Sequence, residues 1–306
     1  MTGTAGTVSL DLARFEPGPK TSPDTEGALM TTGEEIRLAR LFGEGGNAVI
    51  VALDHGLYNG PLPGFRDLAT TAGRLGAADA LLLSPGMACH TRRAFAHRGA
   101  PAMVVRLNWG TQYATQWQYR ESRSVPVLSA AEAGALGADV VLVGMSIKTG
   151  SEAVDAENVE MVARAVSEKR IAGIPLVGEV YPAGHEDLPP DERHEQIAVG
   201  CRIVSELGVD MVKTFYTGRR FGEIVDALPV PVLALGSRKL PHELDALQLA
   251  AEAIGSGARG VVFGRNVIQA RNPENFLAAL LSVVKERMAP EEAADRYQLG
   301  LETVPD

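Results

Sequence analysis

Gly208-Val209-Asp210-Met211-Val212-Lys213-Thr214-Phe215-Tyr216-Thr217-Gly218 decides how this chain is read. Gly208 suits the left-handed position that ends a helix. The apolar run behind it has the length of a buried strand. The same punctuation recurs at Gly76-Ala77-Ala78-Asp79, Gly137-Ala138-Asp139 and Gly257-Ala258-Arg259. Working outward gives eight candidate strands, at 47–55, 79–85, 102–108, 139–147, 175–182, 210–216, 231–236 and 260–265. Their starts lie 21 to 37 residues apart, each gap suiting a helix and two loops, as in repeated βαβ units. Eight units favour an α/β fold of the closed (β/α)8 TIM-barrel type. The alternative is a doubly wound open sheet, which usually has fewer strands, and no Gly-x-Gly-x-x-Gly follows the first strand here.

The barrel is expected over residues 47–285. An N-terminal arm and a short helix (33–42, apolar residues at helical spacing) occupy 1–46, with 1–32 read as mobile, and a polar tail at 286–306 carries one helix around 290–299. A long connection at 111–130, with Tyr113, Trp117 and Tyr119, is read as a lid or a subunit contact. The net charge of −9, with no basic block, argues against nucleic acid, while single Arg residues and helix N-termini can still hold a phosphate. No apolar run suits a signal peptide or a membrane span of ~18 residues, so a cytoplasmic protein without a membrane partner is expected. The two cysteines, Cys89 and Cys201, exclude a disulfide framework and a Cys-based zinc site, and are read as small buried hydrophobes.

Active sites of such barrels lie at the C-terminal ends of the strands. Lys213 lies inside an apolar strand, where a lysine is costly unless paired or neutral. A neutral amine there is a nucleophile that can form a Schiff base with a ketone or aldehyde, the iminium then acting as an electron sink; the alternative is a structural lysine snorkelling to the rim. Period-2 alternation places Ile50, Ala52 and Asp54 on one side of the first strand, so Asp54 is a candidate proton carrier or a loop cap. His55, of opposite parity, reads as a packed or loop-anchoring residue. On the fifth strand Tyr181 is the better placed acid/base, and Glu179 lies one layer deeper. A carboxylate there needs a partner, with Lys148, Arg106 and Lys213 as candidates. After the last two strands, Gly236-Ser237 and Gly264-Arg265 offer unobstructed backbone N–H groups and a guanidinium, a phosphate site, with Lys239 a weaker contributor. The six histidines show no ligand-pair spacing, and no metal is expected.

Leu53-Asp54-His55-Gly56, Tyr181-Pro182-Ala183-Gly184, Val212-Lys213-Thr214-Phe215-Tyr216-Thr217-Gly218 and Gly264-Arg265-Asn266-Val267 together resemble the DeoC/FbaB/LacD superfamily of Schiff-base aldolases, over roughly residues 47–285. The nearest resemblance is to archaeal-type class I fructose-bisphosphate aldolases and to 2-amino-3,7-dideoxy-D-threo-hept-6-ulosonate synthases. It implies Lys213 as the Schiff-base lysine. Asp54 and Tyr181 would handle protons and substrate hydroxyls, and Gly236, Ser237, Gly264 and Arg265 would hold the phosphate of a ketose phosphate. His55, Lys148 and Glu179 are expected in the substrate pocket. A cytoplasmic homo-oligomeric lyase without a cofactor is expected.

Three positions depart from the archaeal aldolase pattern. Glu179 replaces a Trp, Ala183 an Arg, and Gly236-Ser237-Arg238-Lys239 a Gly-Gly-Pro-Lys. A carboxylate at 179 facing the barrel repels the second phosphate of a bisphosphate unless Lys148 or Arg106 neutralises it. The alternatives are a transaldolase-type synthase joining a ketose-phosphate fragment to an amino aldehyde such as aspartate semialdehyde, with Glu179 or Lys148 reading that aldehyde, and a catalytically dead sugar-phosphate-binding barrel.

Overall fold

A computed structural model describes residues 30–43, 46–119 and 121–300. The arm expected at 1–32 therefore lies almost wholly outside the described residues. Eight parallel strands close into a barrel: β1 (Ala48–Ala52), β2 (Ala80–Leu83), β3 (Ala102–Arg106), β6 (Val140–Met145), β7 (Leu176–Val180), β8 (Met211–Phe215), β9 (Val232–Leu235) and β10 (Gly260–Phe263). Each of the eight matches a sequence candidate, trimmed by a few residues at its ends, and β1 pairs with both β2 and β10 to close the ring. This is the (β/α)8 fold.

Every barrel-strand residue is buried, because one face meets the helices and the other the interior. Alternation sorts them. Val49, Val51, Leu81, Leu83, Val105, Val141 and Val143 face the helical layer. Ile50, Ala52, Leu82, Val104, Leu142, Val177, Met211, Leu233 and Val262 fill the interior in layers. Helix Thr32–Phe42, which opens with a Thr31/Glu34 capping box, closes the floor, with Leu41 inserted among the lowest interior side chains. Its Glu34 is tied to Lys169, which also binds Asp210 at the foot of β8 (2.7 and 2.6 Å).

The recurrent punctuation now has a physical reason. Gly137, Gly208 and Gly257 take φ of +96°, +105° and +95°, as a helix-ending glycine should, whereas Gly76 does not. The aspartates that follow reach sideways to the preceding strand. Asp79 accepts from Val49 N, Asp139 from Met103 N and Asp210 from Leu176 N, at 2.7–3.0 Å. They fix strand order at the bottom of the barrel and leave the top free for chemistry.

The connection after β3 holds two short strands, β4 (Asn108–Gly110) and β5 (Ser124–Pro126), paired antiparallel around two turns of 3-10 helix. The C-terminal helix Pro290–Arg296 buries Ala293 and Ala294 in the core. Cys201 is buried and its thiol is pushed up to about 12, but Cys89 is exposed at the end of a surface helix, contrary to the expectation that both are core residues.

Candidate active site

The interior alternation that is apolar lower down turns polar at the top. Continuing it gives Asp54 above β1, Arg106 at the end of β3, Gly144 on β6, Glu179 on β7, Lys213 on β8 and Gly264 above β10. Asp54, His55, Arg106, Glu179, Tyr181, Lys213, Gly236, Ser237, Gly264 and Arg265 line one pocket at the C-terminal mouth. Nine of these ten are site candidates from the sequence; the tenth, Arg106, is there a candidate partner for Glu179.

Lys213 is 5% exposed, and it is paired rather than isolated. Glu179 stands directly opposite it in the β7–β8 register, with Oε1 2.5 Å from Nζ. Arg106 Nη2 donates to the other oxygen, Oε2, at 2.7 Å, and Arg106 Nε donates to Asp54 Oδ2 at 2.5 Å. The guanidinium lies between the rings of Tyr58 and Tyr113, 5.3 and 5.0 Å from their centroids. Two cations and two carboxylates thus form one buried group of no net charge. Burial alone would push the Glu179 carboxyl up, but Arg106 and then Lys213 outweigh it and hold it well below the ordinary range. Asp54 is likewise held down against burial, by Arg106 and then His55 and Lys213.

His55 packs on Phe65, and burial pulls its pKa down to about 4, so it is neutral at pH 7. The Tyr181 ring lies against Tyr113 and Phe215 (5.0 and 5.1 Å), and burial keeps its hydroxyl protonated.

Across the pocket, the loops after β9 and β10 are bound together by Asn266. Its Nδ2 donates to Gly236 O at 2.8 Å, and its Oδ1 accepts from Leu240 N at 2.8 Å. A side chain at Gly236 would lie 2.7 Å from the Phe263 ring, and one at Gly264 would overlap the His55 ring, so only glycine brings these backbones so close. Arg265 Nη2 donates to Ser237 O (3.2 Å), while its buried Nε has no hydrogen-bond partner among the described residues.

Lys148 is a correction. Interior alternation ends at Met145, and Lys148, at φ +57°, turns outward. Its side chain is 63% exposed, and Nζ lies 3.6 Å from Glu192. Lys148 neither lines the pocket nor neutralises Glu179; Arg106 and Lys213 do that. Lys239 is also absent from the lining, where Arg238 appears instead.

Sequence reasoning overlooked Tyr113. It comes from the connection between β4 and β5, and its hydroxyl donates to Glu179 Oε2 at 2.8 Å. Gly144 leaves the space that hydroxyl occupies. Asn108 clamps the same strand, giving a hydrogen bond to Gly144 O and taking one from Gly144 N (2.9 and 2.8 Å). The sequence signal was the aromatic content of 111–130, but nothing local says which ring turns inward.

Among the described residues, no three His, Cys, Asp or Glu side chains are placed to hold a metal, and no helix is long and apolar enough to cross a membrane.

Among known proteins, residues 48–270 match the DeoC/LacD family of aldolases. The chain is 29% identical over 259 residues to an uncharacterized aldolase of Saccharolobus solfataricus, covering 83% of this chain and 95% of that one. It is 30% identical over 268 residues to the 3-hydroxy-5-phosphonooxypentane-2,4-dione thiolase of Enterobacter sp. strain 638, covering 87% and 86%. A solved archaeal fructose-1,6-bisphosphate aldolase, with its catalytic Lys covalently bound to the carbinolamine intermediate, superposes with a TM-score of 0.69 at 30% identity, covering 82% of this chain and 98% of that one.

Proposed function

The chain belongs to the DeoC/LacD family of aldolases, and from that premise we propose that it makes or breaks a carbon–carbon bond through a Schiff base between Lys213 and a phosphorylated ketose. One observation carries the reading. A single pocket joins a buried, carboxylate-paired lysine to a glycine-lined turn with a guanidinium. A phosphorylated ketone needs both ends of that pocket. The names of the similar thiolase and the similar archaeal aldolase both describe phosphorylated carbonyl substrates.

In this reading Arg265 and the backbone N–H groups at Ser237 and Gly264 hold the phosphate, which sets the ketone carbon against Lys213 Nζ. Nζ attacks that carbon, and loss of water gives an iminium. Asp54 removes the proton of the substrate hydroxyl two carbons beyond the iminium carbon, the C–C bond breaks, and its electrons pass into the iminium to give an enamine. Tyr181, whose hydroxyl stays protonated, supplies the proton to the enamine carbon; the proton taken up by Asp54 returns to Tyr181 through solvent, and hydrolysis of the iminium frees Lys213.

The amino-aldehyde synthase reading gave recognition of the second substrate to Glu179 or Lys148. Glu179 is fully engaged by Arg106, Lys213 and Tyr113, and Lys148 faces outward, so the aldolase reading stands first. The same engagement removes the electrostatic objection to a bisphosphate, since the Glu179 charge is compensated within the cluster.

Triose-phosphate release from fructose 1-phosphate and fructose 1,6-bisphosphate tests the proposal. Wild type should cleave at least one of them, and Lys213→Ala neither. Equal turnover by the two proteins would refute the Schiff base, and inactivity of the wild type on both would favour a binding barrel.

A further inference from the structure

We propose that Asn59 and Thr115 bind the end of the substrate remote from its phosphate, and that this end carries hydroxyls and no second phosphate. The substrate is then a ketose monophosphate. The inference rests on the Schiff-base reading for where the phosphate and the ketone sit, and it names the substrate class within that reading.

The strand order sets two opposite sides of the mouth. Around the ring the strands run β1, β10, β9, β8, β7, β6, β3, β2, so β3 stands four strands from β9 in either direction. The turns that would hold the phosphate follow β9 and β10. The β4–β5 connection follows β3, so it enters the mouth from across the barrel, and it brings Tyr113 and Thr115 into the lining. The short helix Gly56–Asn59, which follows β1, is tied to that connection by three hydrogen bonds. Tyr58 Oη donates to Asn108 O and Trp109 Nε1 to Leu57 O, both at 3.2 Å. Thr115 Oγ1 donates to Asn59 Oδ1 at 3.5 Å. A substrate held by its phosphate at β9 and β10, with its ketone at Lys213, extends beyond the ketone toward this wall.

Charge in the pocket is one-sided. Asp54, Arg106, Glu179 and Lys213 cancel within their cluster, and His55 is neutral. The charged side chains left in the lining are Arg238 and Arg265, both on the phosphate side, and Glu186, after β7. Arg193 lies over the Phe215 ring, 5.1 Å from its centroid, and is not part of the lining. Among the described residues, the wall across from the phosphate turns therefore offers a second phosphate no unspent cation, and a desolvated dianion needs one. It suits hydroxyls instead. An Asn amide and a Thr hydroxyl both donate and accept, as a sugar hydroxyl does. Their mutual bond is at the long limit, so exchanging it for bonds to a substrate costs little.

Equilibrium binding of sugar-alcohol phosphates tests this without chemistry, because they have no carbonyl. The probes are mannitol 1-phosphate, mannitol 1,6-bisphosphate and glycerol 3-phosphate, measured by calorimetry at pH 7 and constant salt. In wild type the bisphosphate should bind no tighter than the monophosphate, apart from the advantage of its two equivalent ends. Thr115→Lys should supply the missing cation and tighten the bisphosphate alone, by about 10- to 100-fold. Asn59→Ala and Thr115→Val should weaken mannitol 1-phosphate by about 3- to 10-fold, with a smaller loss for glycerol 3-phosphate, which ends short of the wall. A wild type that binds the bisphosphate about tenfold tighter or more would overturn the proposal, since that is the gain a built cation gives. Equal losses for mannitol 1-phosphate and glycerol 3-phosphate, or no loss for either, would also overturn it. If Asn59→Ala does not fold, the two variants of Thr115, which is exposed, decide. Borohydride trapping with dihydroxyacetone phosphate is run alongside. A wild type that gives no adduct refutes the Schiff-base reading, while the mannitol pair still decides this proposal.

Discussion

Replacing Arg106 by methionine keeps much of the side chain's bulk and removes the cation that two buried carboxylates share. Asp54 is left with His55 at 3.7 Å, which is neutral at pH 7, and Glu179 keeps only Lys213 and Tyr113. Removing one partner of a buried ion pair costs about 3–5 kcal/mol, because the remaining charge stays buried. In a domain of this size one kcal/mol corresponds to ~2 °C, so Tm should fall by about 6–10 °C at pH 7. The pH dependence gives the sharper test. In wild type both carboxyls are held below their ordinary range, so the stability they contribute is present above the unfolded-state pKa of about 4 and is lost as pH falls through the folded values. Without the guanidinium, burial pushes the Asp54 carboxyl up. The folded variant then takes up a proton more readily than its unfolded chain, and its deficit shrinks on acidification. Thermal unfolding followed by circular dichroism from pH 7 to about pH 4.5, at one scan rate, should show the gap between the two proteins narrowing. A gap below ~2 °C at neutral pH, or one that does not change with pH, would refute the reasoning.

Three further outcomes follow from the same geometry. Arg265→Ala should weaken phosphorylated substrates about 10- to 100-fold, the loss of one charge-assisted fork, and barely change dephospho analogues in equilibrium binding; equal losses would make Arg265 structural. Gly264→Ala places a methyl against the His55 ring and 2.9 Å from Ala52 O, so stability should fall by about 1–3 kcal/mol in denaturant unfolding, with phosphate affinity falling too. A thiol reagent should modify Cys89 at once in the folded protein and Cys201 only on unfolding, since the buried thiol is pushed up to about 12.

The barrel was legible because its strands are buried on both faces and read as apolar runs between glycine-ended helices. The rule that extends Ile50 and Ala52 to Asp54 also extends Ala102 and Val104 to Arg106. Arg106 is therefore within reach of the sequence as an interior residue, beyond its role there as a candidate partner for Glu179. Lys148 misled because it sits three residues past Met145, where the chain leaves the barrel and alternation no longer says where a side chain points. Tyr113 was out of reach for a different reason. Its strands β4 and β5 have three residues each, too few to show a period, and its partner lies 66 residues away on β7. Cys89 shows that composition says little about one residue on a short surface helix.

The central claim is that Lys213 is the nucleophile, and the most direct measurement is peptide mapping of the protein reduced with borohydride in the presence of a ketose phosphate. The account predicts a single adduct, on the peptide that carries Lys213, with the mass of the retained ketone fragment and none in Lys213→Ala. An adduct mapped to Lys148 or Lys239, or persisting in Lys213→Ala, would contradict it.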